Sequence, residues 1–170
     1  MSFSDEIKAS IRTPLEVAEE KEQEEINKVK SLAQNDFECL KRELNKNAES
    51  GRYRTVGGQR IIEVEAHASV REYCRITRQK QYRDRLFAKP EFCGIAITCE
   101  CVNTKYYNVY TTELDKLTKP ENITFRIVAK YTDIISKRSC YCYIPGSMST
   151  DNYSVFPKEV DFCIDASMII

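Results

Sequence analysis

Two cysteine pairs are the first candidates for chemistry: Cys99-Glu100-Cys101 and Cys140-Tyr141-Cys142. On a β-strand residues i and i+2 point to the same side, so each pair offers two thiols to one face. If the two strands were neighbours, four thiolates at about 2.3 Å would hold a structural zinc ion. The same positions also suit plain burial, because cysteine behaves as a small hydrophobe. Here it shares strand faces with Ile95, Ile97 and Ile144. Zinc ribbons generally set their cysteines as C-x-x-C on a tight turn. Neither pair has that spacing, so no metal and no cofactor is expected.

A second cluster is Glu63-x-Glu65-x-His67, with two carboxylates and the single histidine of the chain on one strand face. Such a set can hold a divalent cation or exchange protons. It is equally the wet side of a half-buried strand, and a strand face alone supplies no nucleophile. The third is a basic run, Arg71, Arg75, Arg78, Lys80, Arg83, Arg85 and Lys89, interleaved with Tyr73 and Tyr82. Arginine with tyrosine suits phosphate contact and base stacking. The run also suits contact with an acidic surface, on this chain or another. The five glycines form neither G-x-G-x-x-G nor G-x-x-x-x-G-K, and there is no G-x-S-x-G elbow. No catalytic residue is assigned, and the balance leans away from an enzyme.

The elements that must carry these residues begin with a long helix. Thr13 can cap the first free amides, Pro14 suits the first helical position and Glu16 completes a capping box. Gly51 suits the left-handed position after the last turn. Between them run Leu15, Ala18, Ile26, Val29, Ala33, Phe37, Leu40, Leu44 and Ala48. From Ile26 the spacing is eleven-residue rather than heptad, which fits a straight helix better than a coiled coil. A heptad seam would include Asp36, against that reading. Residues 14–49 should span roughly 54 Å, whereas the remaining chain should make a globule about 35 Å across. The front third is therefore expected to project. It is dense in carboxylate: Glu16, Glu19, Glu20, Glu22, Glu24 and Glu25 against Lys21.

Ahead of this helix, residues 4–11 can form a short helical turn with Ile7 and Ile11 four apart. After Gly51 the pattern turns to strands. Gly57-Gly58 marks a turn, and Ile62, Val64 and Ala66 alternate with Glu63, Glu65 and His67. Residues 69–89 have no clean period; Val70, Tyr73, Cys74, Tyr82 and Leu86 suggest a loose helix. Residues 92–102 read as a strand. Asn103 or Thr104 caps a helix to about 118, with Tyr107, Tyr110, Leu114 and Leu117 on one face. Ile123 to Ala129, Cys140 to Ile144 and Val160 to Met168 alternate as strands, with a long loop at 145–157. If the strands flanking the second helix share a sheet, this β-α-β unit favours a parallel crossover. A C-terminal strand so apolar is expected inside the sheet.

The predicted class is α+β: a long N-terminal helix on a mixed sheet of about five strands, with a second helix in the β-α-β unit. The divisions are a short segment (1–12), the helix (13–50) and the α+β domain (51–170). Composition agrees with one domain: 170 residues, 42% of them apolar. The 26 basic and 26 acidic residues cancel. That total argues against a general nucleic-acid or membrane binder but leaves local patches. No stretch approaches the ~18 apolar residues of a membrane span. The acidic N-terminus has no signal-peptide core, so a cytoplasmic location is the default and the eight cysteines are expected as thiols.

The functional expectation is a small protein that binds another protein, or a second copy of itself. Glu16, Glu19, Glu20, Glu24 and Glu25 on the helix front are its contact residues. Arg71, Arg75, Arg78, Lys80, Arg83 and Arg85 form a further contact surface for a partner or, as the alternative, a nucleic acid. A metalloprotein or small enzyme using Glu63, Glu65 and His67, or Cys99, Cys101, Cys140 and Cys142, is the third reading.

Overall fold

The computed structural model describes residues 2–81, 94–132, 139–144, 148–151 and 160–170, with the side chains of 77–99, 132–143 and 145–159 outside the description. In chain order the elements are α1 (Phe3–Ser10), α2 (Pro14–Glu49), β1 (Arg54–Val56), β2 (Gln59–His67), β3 (Cys74–Gln81), β4 (Gly94–Cys101), α3 (Thr104–Thr118), a 3₁₀ turn (Lys119–Glu121), β5 (Ile123–Thr132), β6 (Ser139–Ile144), β7 (Met148–Asp151) and β8 (Val160–Ile169).

The helix termini follow local chemistry. The Thr13 hydroxyl accepts from the Glu16 amide at 3.2 Å, and the Glu16 carboxylate accepts from the Thr13 amide at 2.8 Å. Two orphan amides are thus satisfied reciprocally, with Pro14 at the first turn. Ser2 and Asp5 repeat the device at α1. Gly51 takes φ +68° just past the end of α2, a backbone that glycine adopts without steric cost. Gly57 and Gly58 both have positive φ, which is what a two-residue hairpin turn between β1 and β2 requires. Asn103 caps α3 by accepting from the Tyr106 amide at 3.1 Å.

The main sheet has the order β1-β2-β8-β5-β6, and β3-β4-β7 form a second, smaller one. α2 and α3 cover one face of the main sheet. Val29, Ala33, Phe37, Leu40 and Leu44 of α2 join Tyr107, Tyr110 and Leu114 of α3 in the core. They meet Ile62, Val64 and Ala66 of β2, Phe162, Ile164 and Ala166 of β8, and Ile123, Ile127 and Ala129 of β5. These are the alternate residues of each strand, so the period-two pattern sets which face is dry. Fully burying a side chain such as Leu40 or Ile164 contributes about 1.5–3 kcal/mol. The apolar C-terminal strand lies inside the sheet, paired on both sides with β2 and β5.

The α+β class, the long helix and the five-stranded sheet stand as expected, but the pairing differs in kind. Every strand pair among the described residues is antiparallel. The β4-α3-β5 segment makes no parallel crossover because its strands lie in different sheets. Both edges of β5 are already filled, by β8 and β6. Two local corrections follow. Residues 74–81 form strand β3 instead of a loose helix; a strand zipped to β4 over eight positions needs no helical period. Part of the expected loop at 145–157 is β7, paired to β4, while residues 82–89 and 152–157 lie outside the described residues.

Candidate functional site

The acidic front is an exposed segment that meets α3 at Glu22. Residues 2–25 are exposed throughout, and the first buried residue of α2 is Val29. Phe3, Ile7, Ile11 and Leu15 recur every four residues along this arm. Their exposure runs from 48% at Ile7 to 76% at Phe3. Arg12, in the link between α1 and α2, pairs with Glu20 of α2. Glu16 is occupied by its cap, and Glu25 holds Lys28 at 2.8 Å. Glu22 pairs with Lys105 at the start of α3. Glu19 and Glu24 make no ion pair or hydrogen bond among the described residues.

The basic run does not stand as a single open surface. Arg71 donates to the Val160 carbonyl at 3.1 Å, and Arg75 pairs with Glu100 across β3 and β4 at 3.0 Å. Arg78 and Lys80 are placed on β3, with their side chains outside the description; Arg83, Arg85 and Lys89 lie outside the described residues altogether. Among the described residues, no ion pair joins this run to the acidic front.

A second basic surface, missed in the sequence, lies at the far end of α2. Arg52, Arg54 and Arg60 belong to the β1-β2 hairpin and its approach, a stretch with no acid from 52 to 62. The Arg60 guanidinium lies over the Tyr53 ring at 5.2 Å. Tyr53, Val56, Ile169 and Ile170 are all exposed there. The Asn47 amide donates to the Glu63 carbonyl at 3.0 Å, which fixes the hairpin beside the last turns of α2. The acidic arm ends at residue 25, so the rest of α2, which runs to Glu49, separates it from this hairpin by roughly 36 Å. The signal was present as three arginines around a Gly-Gly turn.

Glu63, Glu65 and His67 do share the solvent face of β2, but the carboxylates are spent on cations of β1 and, across β8, of β5. Glu63 pairs with Arg54 at 2.8 Å and Glu65 with Lys130 at 2.9 Å; Asp165 pairs with Arg126 at 3.1 Å. The result is a ladder of cross-strand pairs over the outer face. No group of three or more His, Cys, Asp or Glu side chains among the described residues is arranged to hold a metal. β4 and β6 belong to different hydrogen-bonded sheets, so the two cysteine pairs are not on directly paired strands. Cys101 instead faces Cys74 on β3. The side chains of Cys99, Cys140 and Cys142 lie outside the description.

Compared with protein-family models, with curated proteins and with solved structures, the chain matches none.

One polar cluster is buried. Asp36, 5% exposed, accepts from the Tyr110 hydroxyl at 2.6 Å, the Ser69 amide at 2.7 Å and the Ser69 hydroxyl at 2.9 Å. Burial, then Asp36, pushes the Tyr110 hydroxyl well above the usual tyrosine range. The cluster joins α2, α3 and the segment after β2. Asp36 and Tyr110 are buried and Ser69 half-buried, so the cluster positions elements. No helix among the described residues is long and apolar enough to cross a membrane.

Proposed function

We propose that the protein is a binding module, with the acidic arm of residues 2–25 as its contact surface and a second copy of the same chain as its partner. The observation that carries this reading is the unpartnered apolar series Phe3, Ile7, Ile11 and Leu15, set among Glu16, Glu19, Glu20, Glu24 and Glu25. Exposed apolar residues in series mark interaction sites more than isolated ones do. A surface complementary in charge and in apolar content exists on the same molecule, at the β1-β2 hairpin, where Arg52, Arg54 and Arg60 surround Tyr53 and Val56.

One chain cannot close this contact on itself, because its rigid helix holds the two surfaces at opposite ends. A two-fold pair with the long helices antiparallel brings each arm to the other copy's hairpin, which is a closed, self-complementary arrangement. Charge complementarity would speed and orient the encounter, and the apolar residues would supply the affinity. Arg71 and Arg75 are engaged within the chain, as Arg54 is by Glu63, whereas Arg52 and Arg60 carry no ion pair among the described residues.

Sedimentation equilibrium tests the reading. The unmodified chain should be dimeric, and Glu19→Lys, Glu20→Lys, Glu24→Lys and Glu25→Lys together should make it monomeric. Mixing that variant with one carrying Arg52→Glu, Arg54→Glu and Arg60→Glu should restore a heterodimer. A wild-type chain that stays monomeric at every concentration would refute the proposal.

A further inference from the structure

Cys74 and Cys101 are direct cross-strand partners at the end of the β3-β4 pair nearest the core. The next pair along is hydrogen-bonded: the Val102 amide donates to the Tyr73 carbonyl at 2.7 Å. Antiparallel ladders alternate between hydrogen-bonded and non-hydrogen-bonded pairs. Positions 74 and 101 are thus a non-hydrogen-bonded pair, in which α-carbons approach to about 4.5 Å and side chains lie closest. A disulfide requires α-carbons about 4.4–6.8 Å apart, so the backbone already meets its demand. Both thiols are free.

We propose that Cys74 and Cys101 form a reversible cross-strand disulfide, an oxidation site that takes a small disulfide such as oxidised glutathione as its oxidant. This inference is independent of the self-pairing proposed above. Half-exposed Cys101 is the entry point. Its thiol loses a proton, and the thiolate attacks one glutathione sulfur, forming a mixed disulfide and releasing one glutathione thiolate. Cys74 then loses its proton and attacks the Cys101 sulfur, expelling the second glutathione. The protein gives up two electrons and two protons, and the oxidant becomes two thiols.

Burial raises both thiols, Cys74 to about 12. Little thiolate is present at neutral pH, so the first step is slow. The second is intramolecular between residues directly opposite one another on paired strands, which favours it. The bond would clasp the base of the β3-β4 pair. Tyr73, beside one cysteine, packs edge-on against Tyr106 of α3 at 6.0 Å. Asn103, two residues beyond the other, caps α3. The clasp would therefore fix the smaller sheet to the helix that covers the larger one.

The full chain is held in a glutathione redox buffer at neutral pH, quenched with acid, alkylated and digested for mass spectrometry. The expected product is a peptide linking Cys74 to Cys101, lighter by two hydrogens and cleaved by dithiothreitol. In Cys74→Ala the glutathione adduct should accumulate on Cys101. In Cys101→Ser the buried Cys74 should remain unmodified, a second variant that serves if Cys74→Ala does not fold. Full alkylation of both cysteines after prolonged oxidation, or linkage of either to another cysteine, overturns the proposal.

Discussion

The Tyr110 hydroxyl donates a 2.6 Å hydrogen bond to the Asp36 carboxylate, and both groups are buried. A carboxylate withdrawn from water must be compensated by donors. Here the donors come from α3 and from Ser69, so three separate parts of the chain converge on one acid. The bond is charge-assisted and shielded from competing water, which makes it stronger than a surface contact.

Removing the acid should be severe. Asp36→Ala strands the Tyr110 hydroxyl and both Ser69 donors, and stability should fall by about 3 kcal/mol. Tyr110→Phe should cost about 1.5–3 kcal/mol. The double variant should lose less than the sum, because both changes delete the same bond. Urea denaturation followed by circular dichroism measures all three, and strict additivity would contradict the coupling.

Alkaline pH should act through the same residue. The folded state holds the Tyr110 proton above the ordinary value of 10.0, first through burial and then through Asp36. An unfolded chain releases it near that ordinary value. The unfolded state then binds fewer protons, so stability falls as pH rises. The contribution is complete below pH 10 and is lost above it. Tyr110→Phe should flatten the decline of the denaturation midpoint above pH 10; an unchanged slope would count against this origin.

Two leucines on the same helix should behave oppositely. Leu40 is fully buried and Leu15 is 68% exposed. Leu40→Ala should cost about 2–5 kcal/mol. Leu15→Ala should change the unfolding free energy of the monomer by less than about 0.5 kcal/mol while weakening self-association. Chemical denaturation and sedimentation on the same samples separate the two effects.

The outer ladder should matter little to stability. The pairs Arg54–Glu63 and Lys130–Glu65 are solvent-screened, and exposed pairs are worth about 1 kcal/mol or less. Glu63→Gln and Glu65→Gln should each fall within that range, with a smaller effect at high salt. A loss of several kcal/mol from either change would show that the ladder acts as a unit.

What was legible in the sequence was the chemistry a residue performs on its own neighbours. Thr13 and Glu16 announce a cap because both partners lie within four residues. Gly51, Gly57 and Gly58 announce positive φ because no other residue adopts it so freely. The alternation in β8 signals a half-dry strand wherever it sits. What was not legible depends on distant partners. Asp36 reads as a surface acid until Tyr110 and Ser69 arrive. Glu63 and Glu65 look alike whether they face a metal or the cations of other strands in the sheet. β3 takes its identity from β4, and charged residues at both parities, Arg75 on one and Arg78 and Lys80 on the other, leave no strand alternation to read.

The position of β8 has a consequence for how the protein is made. β2 and β5 become neighbours only through it, yet it follows all the other described strands in chain order. Until it is made the nascent sheet is two separate halves, each offering an unpaired apolar edge to other chains. The contacts that close it span most of the sequence, which slows folding. Expression should therefore favour conditions that slow encounters between nascent chains, such as low temperature, and a tag near the C-terminus should be placed on a linker long enough to let β8 insert.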